Sequence, residues 1–196
     1  MAHHGCVTPN GNTPELGALR VLAHPLRLRL LSLLTGSAMS AAEAARALGD
    51  TQANVSYHLR RLHEAGLLDI VETVAIRGGQ AKRYRHDPAT GESLDLDEPG
   101  GHVLLMAAMA EELQRRAALR VPRTPAVFTD SEFLLAPADW ARARDLAREL
   151  GILLSDSALP AGALKSGASK PSVPRAIRVA ATVSLFEMAD APGSTA

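Results

Sequence analysis

The order of apolar and polar residues predicts a short capped helix over residues 41–48. Ser40 is followed three positions later by Glu43, which is the pattern of a capping box. In this motif the hydroxyl and the carboxylate each accept a hydrogen bond from a free amide of the first turn. The residues up to Leu48 are rich in alanine, the strongest helix former. Gly49 then predicts the end of the helix, because glycine readily adopts the left-handed conformation that closes many helices.

A second helix is predicted over residues 52–65 and is closed by Gly66. Val55, Leu59 and Leu62 recur at the spacing of one helical face, so this face is expected to pack into a core. The other faces carry small, hydrogen-bonding and cationic side chains. Such groups suit the base edges and phosphates of a DNA major groove, since arginine can bind guanine and asparagine can bind adenine through paired hydrogen bonds. An ordinary solvated helix surface is the alternative.

A basic hairpin is predicted directly after the second helix. Residues 67–76 are rich in Val, Ile and Leu, residues 77–80 contain a Gly-Gly turn, and residues 81–86 return with alternating character. Two helices followed by such a hairpin form a winged helix-turn-helix, which places its second helix in the major groove. The cationic hairpin would lie along the adjacent minor groove or the phosphate backbone. A solvated edge strand protected by cations is the alternative.

This region resembles the ArsR family of bacterial winged-helix transcriptional regulators. The resemblance is carried by AHPLRLRLLSLL at residues 23–34, VSYHLRRLHEAGLL at residues 55–68 and GGQAKRYR at residues 78–85. It covers residues 15–90, which is under half of the chain. It implies a homodimer whose second helix recognises DNA and which represses its operator until an inducer binds.

The resemblance and the polar faces together predict which residues contact DNA. His58 is the weakest member of the set because its position lies toward the apolar face, and a buried, hydrogen-bonded histidine is its alternative. The predicted DNA-binding residues are Ser40, Thr51, Gln52, Asn54, Ser56, Tyr57, His58, Arg60, Arg61, Arg77, Gln80, Lys82, Arg83 and Arg85.

The resemblance also implies a metal site that the sequence does not supply. Many ArsR regulators bind metals through paired cysteines on the first helix of the motif, or through Asp and His residues on a terminal dimer helix. Residues 41–48 contain no cysteine, and Cys6, the one cysteine of the chain, lies near His3 and His4. A thiophilic metal needs several thiolate or imidazole ligands. No metal or other cofactor is therefore predicted, although a sensor that uses this His/Cys set is an alternative.

Charge is distributed unevenly along the chain of 196 residues, which is neutral overall with 21 Lys and Arg and 21 Asp and Glu. Residues 20–86 contain ten cationic and five anionic side chains, a net charge of +5. Residues 87–121 contain three and seven, a net charge of −4. The cations are therefore concentrated in the segment that is predicted to bind DNA.

Composition and the remaining motifs narrow the class of protein. No run of apolar residues is long enough for a transmembrane helix, no signal-peptide pattern occurs, and a single cysteine fits a reducing compartment. These observations predict a cytoplasmic protein. The sequence contains no nucleophile elbow, phosphate-binding loop or zinc-hydrolase spacing, so an enzyme is not predicted.

A further helix is predicted over residues 102–119, with a broad apolar face rich in small side chains. Small residues let two helices approach closely, so this helix is expected to pack against its symmetry mate and against the first helix of the chain. A purely intramolecular role is the alternative. A twofold dimer would set two recognition helices on half-sites about 34–36 Å apart. The predicted interface residues are Leu16, Leu19, Leu104, Met106, Ala107, Ala110, Leu113 and Ala117.

The last third predicts a small α+β extension, which the compact metal-sensing ArsR proteins lack. Residues 126–135 and the alternating residues 175–188 are expected to form two paired strands, and residues 139–154 an amphipathic helix. Aromatic side chains in this part could line an effector pocket, or they could belong to the core of a dimerisation module. These residues are Phe128, Phe133, Trp140 and Phe186.

The predicted fold is mainly α with a small β component (α+β). Its predicted parts are a flexible arm (1–13), a winged helix-turn-helix domain (14–90), an acidic linker (91–101), and a dimerisation helix with an α+β module (102–196) in which residues 161–174 form a mobile loop. The predicted function is a homodimeric, sequence-specific repressor that binds double-stranded DNA at a palindromic operator and is released by a non-metal effector. A winged-helix protein–protein interaction module without DNA binding is the alternative.

Overall fold

The computed structural model describes residues 17–76, 79–87, 99–159 and 176–189. The helices are α1 (Ala18–Leu22), α2 (Pro25–Thr35), α3 (Ala41–Leu48), α4 (Gln52–Glu64), α5 (Gly101–Ala117) and α6 (Pro137–Asp156). The strands are β1 (Met39–Ser40), β2 (Asp69–Ile76) and β3 (Gly79–Arg85), in an antiparallel sheet of order β1-β3-β2. This arrangement confirms the mainly α fold with a small β component and a winged helix-turn-helix.

Several predictions concern residues outside the described ranges. They are the N-terminal arm with His3, His4 and Cys6, the interface residue Leu16, the wing residue Arg77, residues 91–98 of the linker, and the loop 161–174.

The turn between α3 and α4 is set by local hydrogen bonds and one glycine. The Ser40 hydroxyl accepts a hydrogen bond from the Glu43 amide, and the Glu43 carboxylate accepts one from the Ser40 amide at 2.7 Å, which completes the predicted capping box. Gly49 has a φ of 69°, in the left-handed region, and ends α3. Thr51 starts α4, since its hydroxyl accepts a hydrogen bond from the Asn54 amide at 3.3 Å.

The helix before this motif, α2, begins at a histidine. His24 Nδ1 accepts a hydrogen bond from the Leu26 amide at 3.1 Å and so acts as the N-cap. Pro25 occupies the first helical position, where a missing amide hydrogen costs nothing. The His24-Pro25 pair therefore separates α1 from α2.

The apolar faces of α2, α3 and α4 meet in one core. Tyr84 of β3 and the residues between α4 and β2 close it from the side of the sheet. The three residues predicted to form the inner face of α4 are all fully buried. The large side chains with no exposed surface in this core are Leu30, Leu34, Val55, Leu59 and Leu62.

The hairpin is attached to the helices at its end. β2 and β3 pair from Asp69 and Arg85 to Ile76 and Gly79. Just beyond β3, the His86 amide donates a hydrogen bond to the Leu34 carbonyl at 3.2 Å. His86 Nδ1 lies 2.9 Å from the carbonyl oxygen of Leu67, two residues before β2. Burial lowers the pKa of His86. The contacts of His86 with Leu34 and Leu67 therefore attach the end of the wing to α2 and to the segment between α4 and β2.

A buried carboxylate joins α5 to the helix-turn-helix region. α5 packs on α1 and α2. Glu112 of α5 is only 2% exposed, and its Oε1 lies 2.8 Å from Arg29 Nε on α2. Arg115 donates hydrogen bonds to the same carboxylate at 3.0 and 3.1 Å, and Arg116 lies 3.6 Å from it. This cluster satisfies a charge that would otherwise be costly to bury.

The C-terminal extension differs from the prediction. The helix is present as α6, but in the described parts of residues 121–136 and 176–189 no residue forms a strand. The alternating pattern of residues 177–185 marks one apolar face, yet a strand also requires a neighbour for its backbone groups. No backbone hydrogen bond joins the two segments within the described residues. The predicted pairing of these strands is therefore wrong for this single chain.

The apolar side chains of the extension face solvent. α6 buries none of its residues, and Val127, for example, is 93% exposed. Among the helices that the structure describes, none is long and apolar enough to cross a membrane.

Candidate nucleic-acid interface

The outer face of α4 presents polar side chains opposite the buried face of Val55, Leu59 and Leu62. Tyr57 is 49% exposed. Ser56 and Arg61 are partly exposed. Because the inner face is held in the core, the helix displays its outer residues at a fixed orientation. The exposed polar members of the predicted set on or beside this helix are Thr51, Gln52, Asn54, Tyr57 and Arg60.

One residue of this face was not predicted. Asp50, which precedes the cap of α4, accepts hydrogen bonds from the Asn54 side-chain amide at 3.1 and 3.2 Å and from the Thr51 amide at 2.6 Å. These hydrogen bonds lower the pKa of Asp50, and the bond from Asn54 contributes more than the bond from Thr51. A carboxylate accepts only, so the NH₂ group of Asn54 must face Asp50. An aspartate four residues before an asparagine at a helix start was the available sequence signal.

Two predicted hydroxyls act in capping. The Ser40 hydroxyl bonds to Glu43, and the Thr51 hydroxyl bonds to the Asn54 amide. Each retains a lone pair or a proton for a further partner. Arg61 forms an ion pair with Glu64 at 3.1 Å. These three residues therefore have structural partners in addition to any contact with DNA.

His58 does not lie on the outer face. It is 5% exposed and accepts a hydrogen bond from Arg27 Nε to its Nδ1 at 3.3 Å. Its ring centroid lies 4.5 Å from that of His24. Burial, then the charges of His24 and Arg27, lower the pKa of His58 to about 4. The structure therefore supports the alternative interpretation of His58, a buried and hydrogen-bonded histidine, and not a DNA contact. Its side chain points toward α2.

Arg27 belongs to the same cluster of side chains as His24 and His58. Besides His58, its guanidinium donates a hydrogen bond to the Val21 carbonyl. Arg27 thus connects the end of α1, the first turn of α2 and the middle of α4. The apolar spacing alone could not show this, because the three groups come from distant parts of the sequence.

The cations of the wing are of two kinds, exposed ones and one that is bonded to the rest of the domain. Gln80, Lys82 and Arg85 are exposed. Arg83 instead donates a hydrogen bond to the Ala38 carbonyl at 2.6 Å and forms ion pairs with Glu43 at 3.4 Å and Glu72 at 3.5 Å. Arg83 therefore attaches the wing to the start of α3, so its guanidinium is not a free ligand for phosphate.

The predicted dimer face of α5 is largely open. Leu104 is 51% exposed and Leu113 is 52% exposed, and Ala107, Ala110 and Ala117 are exposed as well. Leu19 on α1 is different, because it is fully buried within the chain and α1 packs on α5. Leu19 therefore has an intramolecular partner and no surface for a second copy.

The four aromatic residues proposed for an effector pocket do not come together. Phe128 and Phe133 are exposed, and Trp140 carries the Arg144 guanidinium over its ring at 5.4 Å. Phe186 lies against His102 of α5, with ring centroids 4.9 Å apart. Phe186 also lines a groove beside α5, which does not include the other three. These residues lie on separate segments because the strands that were to unite them do not form.

The described ranges contain no candidate metal cluster. No three His, Cys, Asp or Glu side chains there are arranged to hold a metal ion. The alternative sensor built on His3, His4 and Cys6 lies outside those ranges.

Comparison with known proteins agrees with the described geometry. Residues 22–71, from the end of α1 into β2, match a family described as a helix-turn-helix domain. The chain is also similar to a solved structure described as a possible transcriptional regulator for arsenical resistance, at 29% identity over 54% of this chain and 98% of that chain, with a TM-score of 0.31. No curated protein matches the sequence. The family match confirms a helix-turn-helix domain in this part of the chain.

Proposed function

We propose that the protein is a homodimeric transcriptional repressor that inserts α4 into the major groove of a palindromic operator. The exposed polar face of α4 carries this proposal, because its opposite face is fixed in the core by Leu59 and its neighbours. Direct readout requires side chains held at a constant orientation to the base edges. Gln52, Tyr57 and Arg60 are the exposed residues best suited to such contacts.

The wing supplies the sequence-independent part of binding. Lys82 and Arg85 are exposed on β3, and neither takes part in the ion pairs that hold Arg83. Cations in this position would bind phosphates and release counterions from the DNA. Contacts of this kind orient the domain without reading the sequence.

The second copy would bind through the outer face of α5. This face exposes leucines between small alanines, which is the composition that permits two helices to approach closely. A twofold axis through α5 would present two α4 helices to successive major grooves. The whole of residues 102–196 would then serve dimerisation and response to a non-metal effector.

Fluorescence anisotropy with genomic DNA fragments at two salt concentrations tests the proposal. Binding should weaken steeply as salt rises, because each phosphate contact releases counterions. Arg60→Ala should lower affinity for the selected operator by about 1–3 kcal/mol and relax its sequence preference. Lys82→Ala should weaken all sequences about equally and reduce the salt dependence.

Arg142→Ala is the matched control, because Arg142 is an exposed arginine on α6, outside the helix-turn-helix region. It should leave DNA affinity unchanged. Absence of binding at low salt would contradict the repressor proposal and favour the protein–protein interaction module. Equal losses for Arg60→Ala and Arg142→Ala would mean that α4 has no special role.

A further inference from the structure

A groove lies between the N-terminal half of α5 and the extended segment of residues 183–186. It has a volume of about 410 Å³. Its walls include His102, Met106 and Met109 from α5 and Val183, Leu185 and Phe186 from the segment. This volume is within the range of pockets that hold small molecules.

The groove contains one polar group that lacks a partner. His102 Nε2 is buried from solvent and makes no hydrogen bond in the described part of the chain. The imidazole is held edge-to-face against Phe186, with ring planes at 71°. Buried polar atoms are almost always hydrogen-bonded, so an unpaired ring nitrogen beside a groove indicates a missing ligand or water.

The remaining walls are apolar and adaptable. Met106 receives a weak hydrogen bond from the Ser184 hydroxyl to its sulfur at 3.4 Å. Methionine side chains are flexible and polarisable, and they contact aromatic rings favourably. With Phe186 at one end, the groove offers an environment for a flat apolar molecule.

We infer that this groove binds a small, flat and largely apolar molecule whose single hydrogen-bonding group pairs with His102 Nε2. The inference rests on the proposed function, since it assigns the site of the effector. It replaces the predicted aromatic pocket and retains Phe186 from it.

The position of the groove connects it to the DNA-binding part. Leu105, which also lines the groove, packs against the helix-turn-helix core, and Glu112 two turns later pairs with Arg29 of α2. A ligand that displaces residues 183–186 or shifts α5 would therefore act on the helix that orients α2. Differential binding to two positions of α5 is what a release mechanism requires.

A pair of probes, 2-naphthol and naphthalene, tests the inference by equilibrium dialysis with the full-length protein. They differ by one hydroxyl group, so the comparison isolates the hydrogen bond. The wild-type protein should bind both saturably and 2-naphthol more tightly. His102→Phe keeps an aromatic ring against Phe186 and removes Nε2. It should weaken 2-naphthol about 5- to 10-fold and leave naphthalene nearly unchanged.

Met109→Trp should fill the groove and abolish binding of both probes. Leu119→Trp is its control, because Leu119 is exposed just beyond the end of α5 and does not line the groove. It should leave both affinities unchanged. Equal effects of His102→Phe on the two probes, or no saturable binding of either, would overturn the inference.

DNA binding measured in parallel separates this inference from the proposed function. Loss of probe binding in a protein that still binds its operator overturns the effector site alone. Probe binding in a protein that binds no DNA contradicts the repressor and the effector role, which rests on it. If Met109→Trp dissociates a dimer in sedimentation equilibrium and the wild type binds no probe, a second copy occupies the groove and the inference is wrong.

Discussion

The helix-turn-helix region and the C-terminal extension use their apolar residues in opposite ways. In the first, leucines at helical spacing converge from α2 and α4 on one core, and Leu59 has no exposed surface. In the second, α6 buries none of its residues, and Leu146 is 54% exposed. An apolar pattern therefore shows which face of an element avoids water, whereas the neighbouring elements decide whether that face is covered.

The difference has a physical origin in the connections. α3, α4 and the wing are joined by short turns, so each apolar face meets the next within a few residues of chain. Within the residues that the structure describes, no neighbouring element buries the apolar side chains of α6. Large exposed apolar surfaces mark interaction sites in soluble proteins. The helix-turn-helix region thus buries its apolar faces within the chain. We expect a partner to cover the exposed apolar face of the extension.

Truncating one leucine in each region should give the largest contrast. Leu59→Ala removes a fully buried side chain and should lower the free energy of unfolding by about 2–5 kcal/mol. Leu146→Ala alters an exposed site and should cost less than about 0.5 kcal/mol in the monomer. Urea unfolding at several protein concentrations measures both. A comparable, concentration-dependent loss for Leu146→Ala would show that a partner buries this face.

The next largest effect is expected at the junction between the two regions. Glu112→Gln removes the charge that Arg29, Arg115 and Arg116 surround, and it should cost about 1–3 kcal/mol because one buried acceptor is lost. Glu111→Gln changes an exposed neighbour on the same helix and is the control. Thermal unfolding compares the two. Equal melting temperatures would mean that α5 is not held through this carboxylate.

Acid should weaken the helix-turn-helix region through His58. Its folded pKa of about 4 lies below the ordinary value of 6.5, so the unfolded chain takes up a proton first as the pH falls. Stability is therefore complete above pH 6.5 and is lost progressively toward pH 4. We expect a loss on the order of 1 kcal/mol between pH 7 and pH 5.5.

His58→Gln should flatten this part of the pH profile in urea titrations, since glutamine does not titrate. His24 and His86 also have lowered pKa values because of burial, so a residual slope is expected. An unchanged slope in the variant would assign the pH dependence to those two residues.

The smallest contrast lies within the wing. Arg83→Ala should lower stability by about 1 kcal/mol, because it breaks hydrogen bonds that attach β3 to the start of α3. Lys82→Ala should change stability by less than about 0.5 kcal/mol, because the Lys82 side chain is exposed. Chemical unfolding without DNA measures both. Identical stabilities would show that Arg83 is a solvated cation like Lys82.

Local sequence signals predicted the helix-turn-helix well. Ser40 with Glu43 and the glycine at position 49 act within one turn of chain, so their consequences follow from nearest neighbours. The inner face of α4 followed from the spacing of Val55, Leu59 and Leu62. Such features do not depend on how distant elements are arranged.

Features that join distant segments could not be predicted in this way. Glu112 on α5 pairs with Arg29 on α2, which lies 83 residues earlier in the chain. The sequence also could not distinguish Arg83 from the other cations of the wing, because its partners Ala38 and Glu72 lie on other segments. Alternation over residues 177–185 is typical of a half-buried strand, but the pattern alone could not supply the second strand that its backbone groups need.

The bond between Asp50 and Asn54 bears on which operators this helix could accept. Since the carboxylate engages the NH₂ group of Asn54, the carbonyl oxygen is the part of this side-chain amide that is left to accept a hydrogen bond from a base. In the major groove, cytosine and adenine offer amino donors to such an oxygen, whereas the guanine edge offers only acceptors. The fixed aspartate would thus convert a side chain able to pair in two ways into a selective probe for exocyclic amino groups, and it would disfavour guanine at that step.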